Sequence, residues 1–223
     1  MKKFAFKGYI RKNNRMNPGA VITADIVNST QLSKAEYKKL TKNLTAVFGE
    51  HQYEFFRGDS FQVFVKSSDK ALQVLLQARV TAMKLSGSSM PVADIRASIG
   101  IGSVKLPVKS FQTATGDVFI LSGRAFDKMT KDERTIIICD EKNKAVNLGL
   151  KVVSQFIDYL FQRLTFKQAA VVYELLMDRT QIETAKRLKK SQATVHKHLQ
   201  AAGWPQIENL LADYKNLIAL IEP

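Results

Sequence analysis

The chain is poor in cysteine, in acids and in long apolar runs, and each shortage excludes something. Its 223 residues include one cysteine, Cys139, so no internal disulfide can form, which suits a reducing compartment. Set in the apolar run Thr135–Asp140, Cys139 reads as a small buried hydrophobe rather than a nucleophile. No apolar run approaches the roughly 20 residues needed to span a bilayer, so no membrane partner is expected. The amino terminus is basic but has no apolar signal core behind it. Export is therefore not expected, and the cytoplasm is the expected place. No Gly-x-x-x-x-Gly-Lys phosphate loop and no serine-triad signature occurs. Gly100-x-Gly102 lacks the following glycine and helix of a dinucleotide fingerprint. His51, His196 and His198 show no metal-ligand pattern. A two-residue spacing on a helix turns His196 and His198 to different faces.

The shortage of acids sets the class of partner. There are 34 Lys+Arg against 20 Asp+Glu, a formal net charge of +14, which favours an anionic partner such as nucleic acid or nucleotide. Residues 1–17 carry Lys2, Lys3, Lys7, Arg11, Lys12 and Arg15 with no acid, as a basic arm or an irregular lead-in strand.

The most specific stretch is Thr180–Ala202, which reads as a DNA-binding helix-turn-helix. Thr180 and Glu183 have the spacing of a capping box, in which each side chain satisfies a backbone N–H of the other residue. Ile182, Ala185 and Leu188 recur on one face of the helix that follows. Ser191 is a good N-cap for a second helix, Val195, Leu199 and Ala202 form that helix's inner face, and Gly203 suits the position after its end. Gln192, Thr194, His196 and Lys197 are placed toward the major groove, and Gln200 shares the outward face. Ser191 and the helix amino terminus would anchor a phosphate, while Lys186, Arg187 and Lys190 add affinity without sequence preference.

The rest of the chain divides by hydrophobic period. Residues 20–27, 53–56, 61–65, 95–104 and 135–139 read as strands. Arg57-Gly58-Asp59-Ser60 forms a hairpin turn between the second and third. Helices are expected over residues 33–48, 70–85 (capped by Asp69) and from Gly116 through Arg124 to Met129. The order suits two helices on one side of a mostly antiparallel sheet. The fold class is therefore α+β: a ferredoxin-like or polymerase-palm domain over 1–142, then a connector helix over 143–164. An all-α helix-turn-helix domain fills 165–223. Thr165 and Gln168 form another capping box, and its helix turns Val172, Leu175 and Leu176 inward. Pro205 suits a first helical position. Ile207, Leu210, Tyr214, Leu217 and Ile221 follow at heptad spacing, either packed on their own domain or lining a homodimer seam.

Two acids stand out in the first domain. Asp25 lies near the end of the first strand and Asp59 in the hairpin turn. In a palm-like sheet both would lie at one edge, where paired carboxylates can hold Mg²⁺. An Asp after a strand or in a Gly-Asp turn is also ordinary turn chemistry.

ADIVNST (24–30), RGDSF (57–61), RASIGIG (96–102) and GDVFILSGR (116–124) resemble, in order, four motifs of class III nucleotidyl cyclases. That resemblance implies metal-binding roles for Asp25 and Asp59 and a phosphate-stabilising role for Arg124. Ile120 stands where the family has an asparagine, and Phe55 where it has a base-selecting lysine, which argues against cyclase activity. Over nearly the whole chain, ADIVNS, GDSFQ, IRASIGIG, LTFKQ and SQATVHKHLQAAGW are similar to the SatD family of bacterial proteins. The implied function is a DNA-binding transcriptional regulator with a degenerate cyclase-like sensory or dimerisation domain. The alternatives are an Mg²⁺-dependent enzyme acting on nucleotides and a protein-interaction module.

Overall fold

A computed structural model describes residues 19–56, 58–85, 90–104, 111, 116–140 and 142–221. The basic arm 1–17 and Arg57 of the hairpin turn lie outside the described residues. The fold is α+β, with one mixed five-stranded sheet and eight α-helices among the described residues.

The first strand, β1 (Gly19–Val27), lies at the centre of the sheet, with one face apolar throughout and the other apolar at Val21 and polar at Thr23 and Asp25. Ala20, Ile22, Ala24 and Ile26 point to one side and Val21 to the other, and all five are buried. Helix α1 (Lys34–Phe48) starts one residue after Ser33, whose side chain and that of Glu36 complete a capping box. The hairpin β2 (Gln52–Phe56) and β3 (Ser60–Val65) turns through Gly58, whose φ of 88° is one that few side chains tolerate. Helix α2 (Ala71–Met83) follows a 3₁₀ turn, Ser68–Lys70. Asp69 does not cap α2 as expected: it lies inside that turn, its carboxylate taken by the Ser67 hydroxyl. Strand β4 (Asp94–Gly102), α3 (Asp117–Asp127) and β5 (Thr135–Ile138) complete the sheet.

The strand order is β2-β3-β1-β4-β5. Every neighbouring pair is antiparallel except β4 and β5. Leu40 and Leu44 of α1 and Leu72, Leu75 and Leu76 of α2 pack on the Ile22 face. Val118 and Phe119 of α3 pack on the opposite face with Val21 and Phe64. Gly100 makes this possible, since a Cβ there would lie 2.6 Å from the Val118 carbonyl oxygen. The glycine expected in β4 for close approach is therefore used by a helix backbone.

Five helices follow: α4 (Lys144–Phe161), α5 (Phe166–Leu176), α6 (Gln181–Leu188), α7 (Gln192–Ala202) and α8 (Trp204–Ala219). Their apolar residues join the same buried cluster as the sheet, from Ala20 to Ile218. Three polar joins fasten the layers. Arg79 of α2 is fully buried and bonds Asp94 of β4 and Asp158 of α4. Gln73 and Gln77 of α2 both donate to the Leu176 carbonyl at the end of α5. The buried Tyr214 hydroxyl of α8 donates to the Ser68 carbonyl. Of the heptad-spaced residues of α8, Ile207, Leu210 and Tyr214 are buried within this chain. Pro205 is the second residue of α8, not the first, because the helix already starts at Trp204.

Candidate nucleic-acid interface and acidic sheet edge

Helices α6 and α7 are set by local chemistry at each end. Thr180 N donates to Glu183 Oε2 at 2.8 Å and Glu183 N donates to Thr180 Oγ1 at 3.2 Å, closing the first capping box. Helix α6 ends at Lys189, in the left-handed conformation at φ 52°, and Lys190 N donates back to the Ala185 carbonyl. A non-glycine residue there costs about 1–2 kcal/mol, so packing must hold the turn. Ser191 Oγ accepts from Thr194 N at 3.1 Å and starts α7. Gly203, at φ 70°, ends it.

The inner face of α7 is as read from sequence: Val195, Leu199 and Ala202 are buried, packed with α5. On α6 the reading is corrected. Thr184 and Ala185 are the buried pair, and Ile182 is 54% exposed. The helix is only two turns long and meets its neighbours along a narrow strip, so an apolar residue one step off that strip stays in water.

Of the residues assigned to DNA, Lys186, Arg187, Ser191, Gln192, His196 and Lys197 are exposed, and Lys190 and Thr194 are half-buried. Arg187 differs from the role expected of it. Its Nε donates to Glu174 Oε2 at 2.8 Å, and Arg179 Nη1 donates to the same oxygen at 2.6 Å. Glu174, buried in α5, thus holds α6 in place through Arg187. Sequence reading missed Glu174; a lone acid inside the apolar run of α5 was the available signal. Lys84, after α2, meets this cluster too, with Nζ 2.8 Å from the centre of the Tyr173 ring. Burial lowers the Lys84 amine to about 8, with Arg179, Arg187 and Lys39 acting the same way and Glu174 opposing.

Asp25 and Asp59 also come together at one edge of the sheet. Asp25 faces Ser60 across β3 and Arg96 across β4, and Asp59, just before Ser60, accepts from Ile26 N through its carbonyl. Arg96 Nη2 donates to Asp25 Oδ2 at 2.8 Å, with its guanidinium 5.1 Å from the centre of the Phe126 ring. Ser29 Oγ donates to Asp59 Oδ2 at 2.8 Å. The Tyr37 hydroxyl donates to the Gly58 carbonyl. Burial, and then the Asp59 charge, push the Tyr37 phenol above its ordinary value. Beside this edge lies a cleft of about 370 Å³, lined in part by Thr23, Ser60, Gln62, Phe56 and Phe126.

This donor set does not fit an Mg²⁺ site as it stands. Asp25 keeps one buried oxygen, Oδ1, without a hydrogen-bond partner, as an ion would require. Its other oxygen is paired with the Arg96 cation, and an incoming Mg²⁺ would meet that charge. Among the described residues no group of three or more His, Cys, Asp or Glu could hold a metal. Arg124 is exposed on α3 and forms no ion pair with a described residue. Ile120 is also exposed. Phe55 packs in an aromatic cluster, 5.5 Å from Phe61 and 6.4 Å from Phe48 between ring centres, and so is part of the core's edge.

No helix among the described residues is long and apolar enough to cross a membrane. Comparison with known proteins gave no match to a family model, a curated protein or a solved structure.

Proposed function

We propose that this chain is a cytoplasmic DNA-binding regulator of the SatD type. Helices α5 to α7 would form a helix-turn-helix, and α7 would enter the major groove. The observation that carries this reading is the division of α7 into two faces. One face is buried, and the other offers Gln192, His196 and Lys197 to solvent beside Lys186 and Lys190. The three-residue turn from Lys189 to Ser191 and the exposed Ser191 cap support it further, since a helix amino terminus favours a phosphate. Sequence would be read by Gln192, Thr194, His196 and Lys197 at base edges, with Lys186, Lys190 and Ser191 on phosphates. Arg187 would serve mainly to hold α6, because Glu174 already occupies its Nε.

The strand order β2-β3-β1-β4, with α1 and α2 on one face, supports a ferredoxin-like, palm-type reading of the first domain. Its role would be sensory or dimerising. The cyclase-like motifs have lost their chemistry at Ile120 and Phe55, and Arg124 stands free of the acids. The second reading, an Mg²⁺-dependent enzyme acting on nucleotides, has in its favour the unpartnered Asp25 Oδ1 beside an open cleft. The Arg96–Asp25 pair weighs against it.

The test is selection of bound duplexes from random DNA, followed by binding measured against salt. Specific binding should fall with salt at a log–log slope of roughly −0.9 per phosphate neutralised. Lys197→Ala should cost about 1–3 kcal/mol and relax sequence preference. Absence of duplex binding at low salt would end this reading.

A further inference from the structure

Helix α4 is apolar on two faces, and the fold uses one of them. Leu150, Val153, Ile157 and Phe161 are buried in the core shared with β5 and α8. On the other side Leu148 is 65% and Val152 57% exposed, and Ala145, Phe156 and Tyr159 are exposed with them. At about 3.6 residues per turn these five lie within about 40° of Val152, so they form one stripe along the helix. A helix apolar all round is ordinarily buried, so a stripe left in water marks a surface that another body covers. The stripe is also held in shape. Phe156 and Tyr159 stack with ring centres 6.1 Å apart. Arg163 Nη1 donates to the Tyr159 hydroxyl at 2.6 Å, and its guanidinium lies 3.9 Å from the centre of that ring. Side chains already ordered lose less freedom on docking.

The order of residues along the stripe fits a second copy of the same helix. About a two-fold axis through Val152, an antiparallel copy sets Val152 on itself. Leu148 then meets Phe156, and Ala145, the smallest residue of the stripe, meets Tyr159, the largest, because the members of each pair lie equally far from Val152 in opposite directions. The same rotation brings Asp140, exposed just before α4, toward Arg163, exposed just after it. Neither forms an ion pair with a described residue of its own chain. A two-fold interface requires this kind of self-match, with each contact made twice. The stripe exposes on the order of 400 Å² of apolar surface, and burying it with its rim on both copies reaches roughly 1,000 Å², where specific interfaces begin. An anionic lipid surface fits less well, since Asp140 at the end of the stripe would face like charge. We propose that α4 pairs with α4 of a second copy, antiparallel about Val152, and makes the chain a homodimer. The pairing does not rest on the DNA reading. Only its consequence does, that two α7 helices would address two half-sites.

The test is the mass of the full chain in solution, by sedimentation velocity over a concentration series. It should approach twice the chain mass as concentration rises. Val152→Lys sets two cations on the axis and should raise the dimer Kd by about a hundredfold or more. Its circular dichroism should not change, because Val152 is exposed. Arg163→Glu should weaken the dimer, and Asp140→Lys added to it should restore pairing. Oxidation reads the register, and the buried Cys139 does not interfere. Val152→Cys should cross-link two copies, whereas Leu148→Cys should not, since the position opposite it is Phe156. A monomer at every concentration, or a dimer indifferent to Val152→Lys, overturns the proposal. Cross-linking at both positions overturns the antiparallel seam. A chain that stays monomeric yet binds vesicles of anionic lipid, and loses that binding in Val152→Lys, gives the stripe to a membrane surface and overturns the dimer.

Discussion

Arg79 and Asp158 meet at 2.7 Å, with none of the arginine side chain exposed, so an ion pair joins the sheet's helical layer to α4. The site is fully furnished. Arg79 also bonds Asp94 and Thr135 Oγ1, Asp158 Oδ2 accepts from the backbone N–H groups of Arg134 and Thr135, and the Phe161 ring lies 4.8 Å from the guanidinium. Such a buried pair contributes less by its own Coulomb energy than it costs to leave half of it behind.

Arg79→Met should therefore destabilise the chain by about 3–5 kcal/mol, because it strands two carboxylates. Urea unfolding should give a lowered midpoint and remain a single transition, since sheet and helices share one core. Two separated transitions in the variant would show that the Arg79 join, and not the shared core, couples the layers.

Glu174 gathers Arg179 and Arg187 on one oxygen, so Glu174→Gln should loosen α6 specifically. A loss of about 2 kcal/mol is expected from the charged hydrogen bonds. Amide hydrogen exchange should rise across residues 181–190 while β1 and β4 stay protected. Uniform loss of protection would mean that Glu174 serves the whole core instead.

Lys84 carries a pH signature. Its folded value of about 8 lies below the ordinary 10.5, so the unfolded chain holds more protons between those values. Stability owed to Lys84 is therefore gained as pH rises through about 8 and is complete above 10.5. Lys84→Met lacks this gain. The stability of the wild type relative to that variant should climb across this window, and a flat difference would refute the assignment.

Arg96 on Asp25 predicts a weak response to Mg²⁺. Thermal midpoints should hardly move on adding the ion, whereas in Arg96→Gln, with the Asp25 carboxylate released, Mg²⁺ should raise the midpoint. The pair itself is partly exposed, so Asp25→Asn should cost only about 1 kcal/mol. A large Mg²⁺ stabilisation of the wild type would favour the metal-dependent reading.

Much of the architecture was legible before any coordinates. The capping boxes at Thr165 and Thr180, the Ser191 cap, the left-handed Gly203 and the Gly58 hairpin are all where the residue types place them. The acid edge was legible too, because hairpin register carries Asp59 next to the strand that holds Asp25. The cation on Asp25 was not, since Arg96 lies 71 residues away and only the β1–β4 register brings them together. The same holds for Glu174 and Arg187. Ile182 shows the reverse failure: a correct helical period does not reveal how wide a strip the neighbours cover.

The sequence by itself determined where α1, α5, α6 and α7 start, where α7 ends and where the hairpin turns. These depend on contacts three or four residues apart and on the φ angles a side chain permits, and so are written locally. Only the tertiary structure decided that Arg79 is buried, that Arg187 is already engaged and that α8 lies on its own chain. Each of those depends on which distant residue arrives opposite, and a period along one helix carries no information about that.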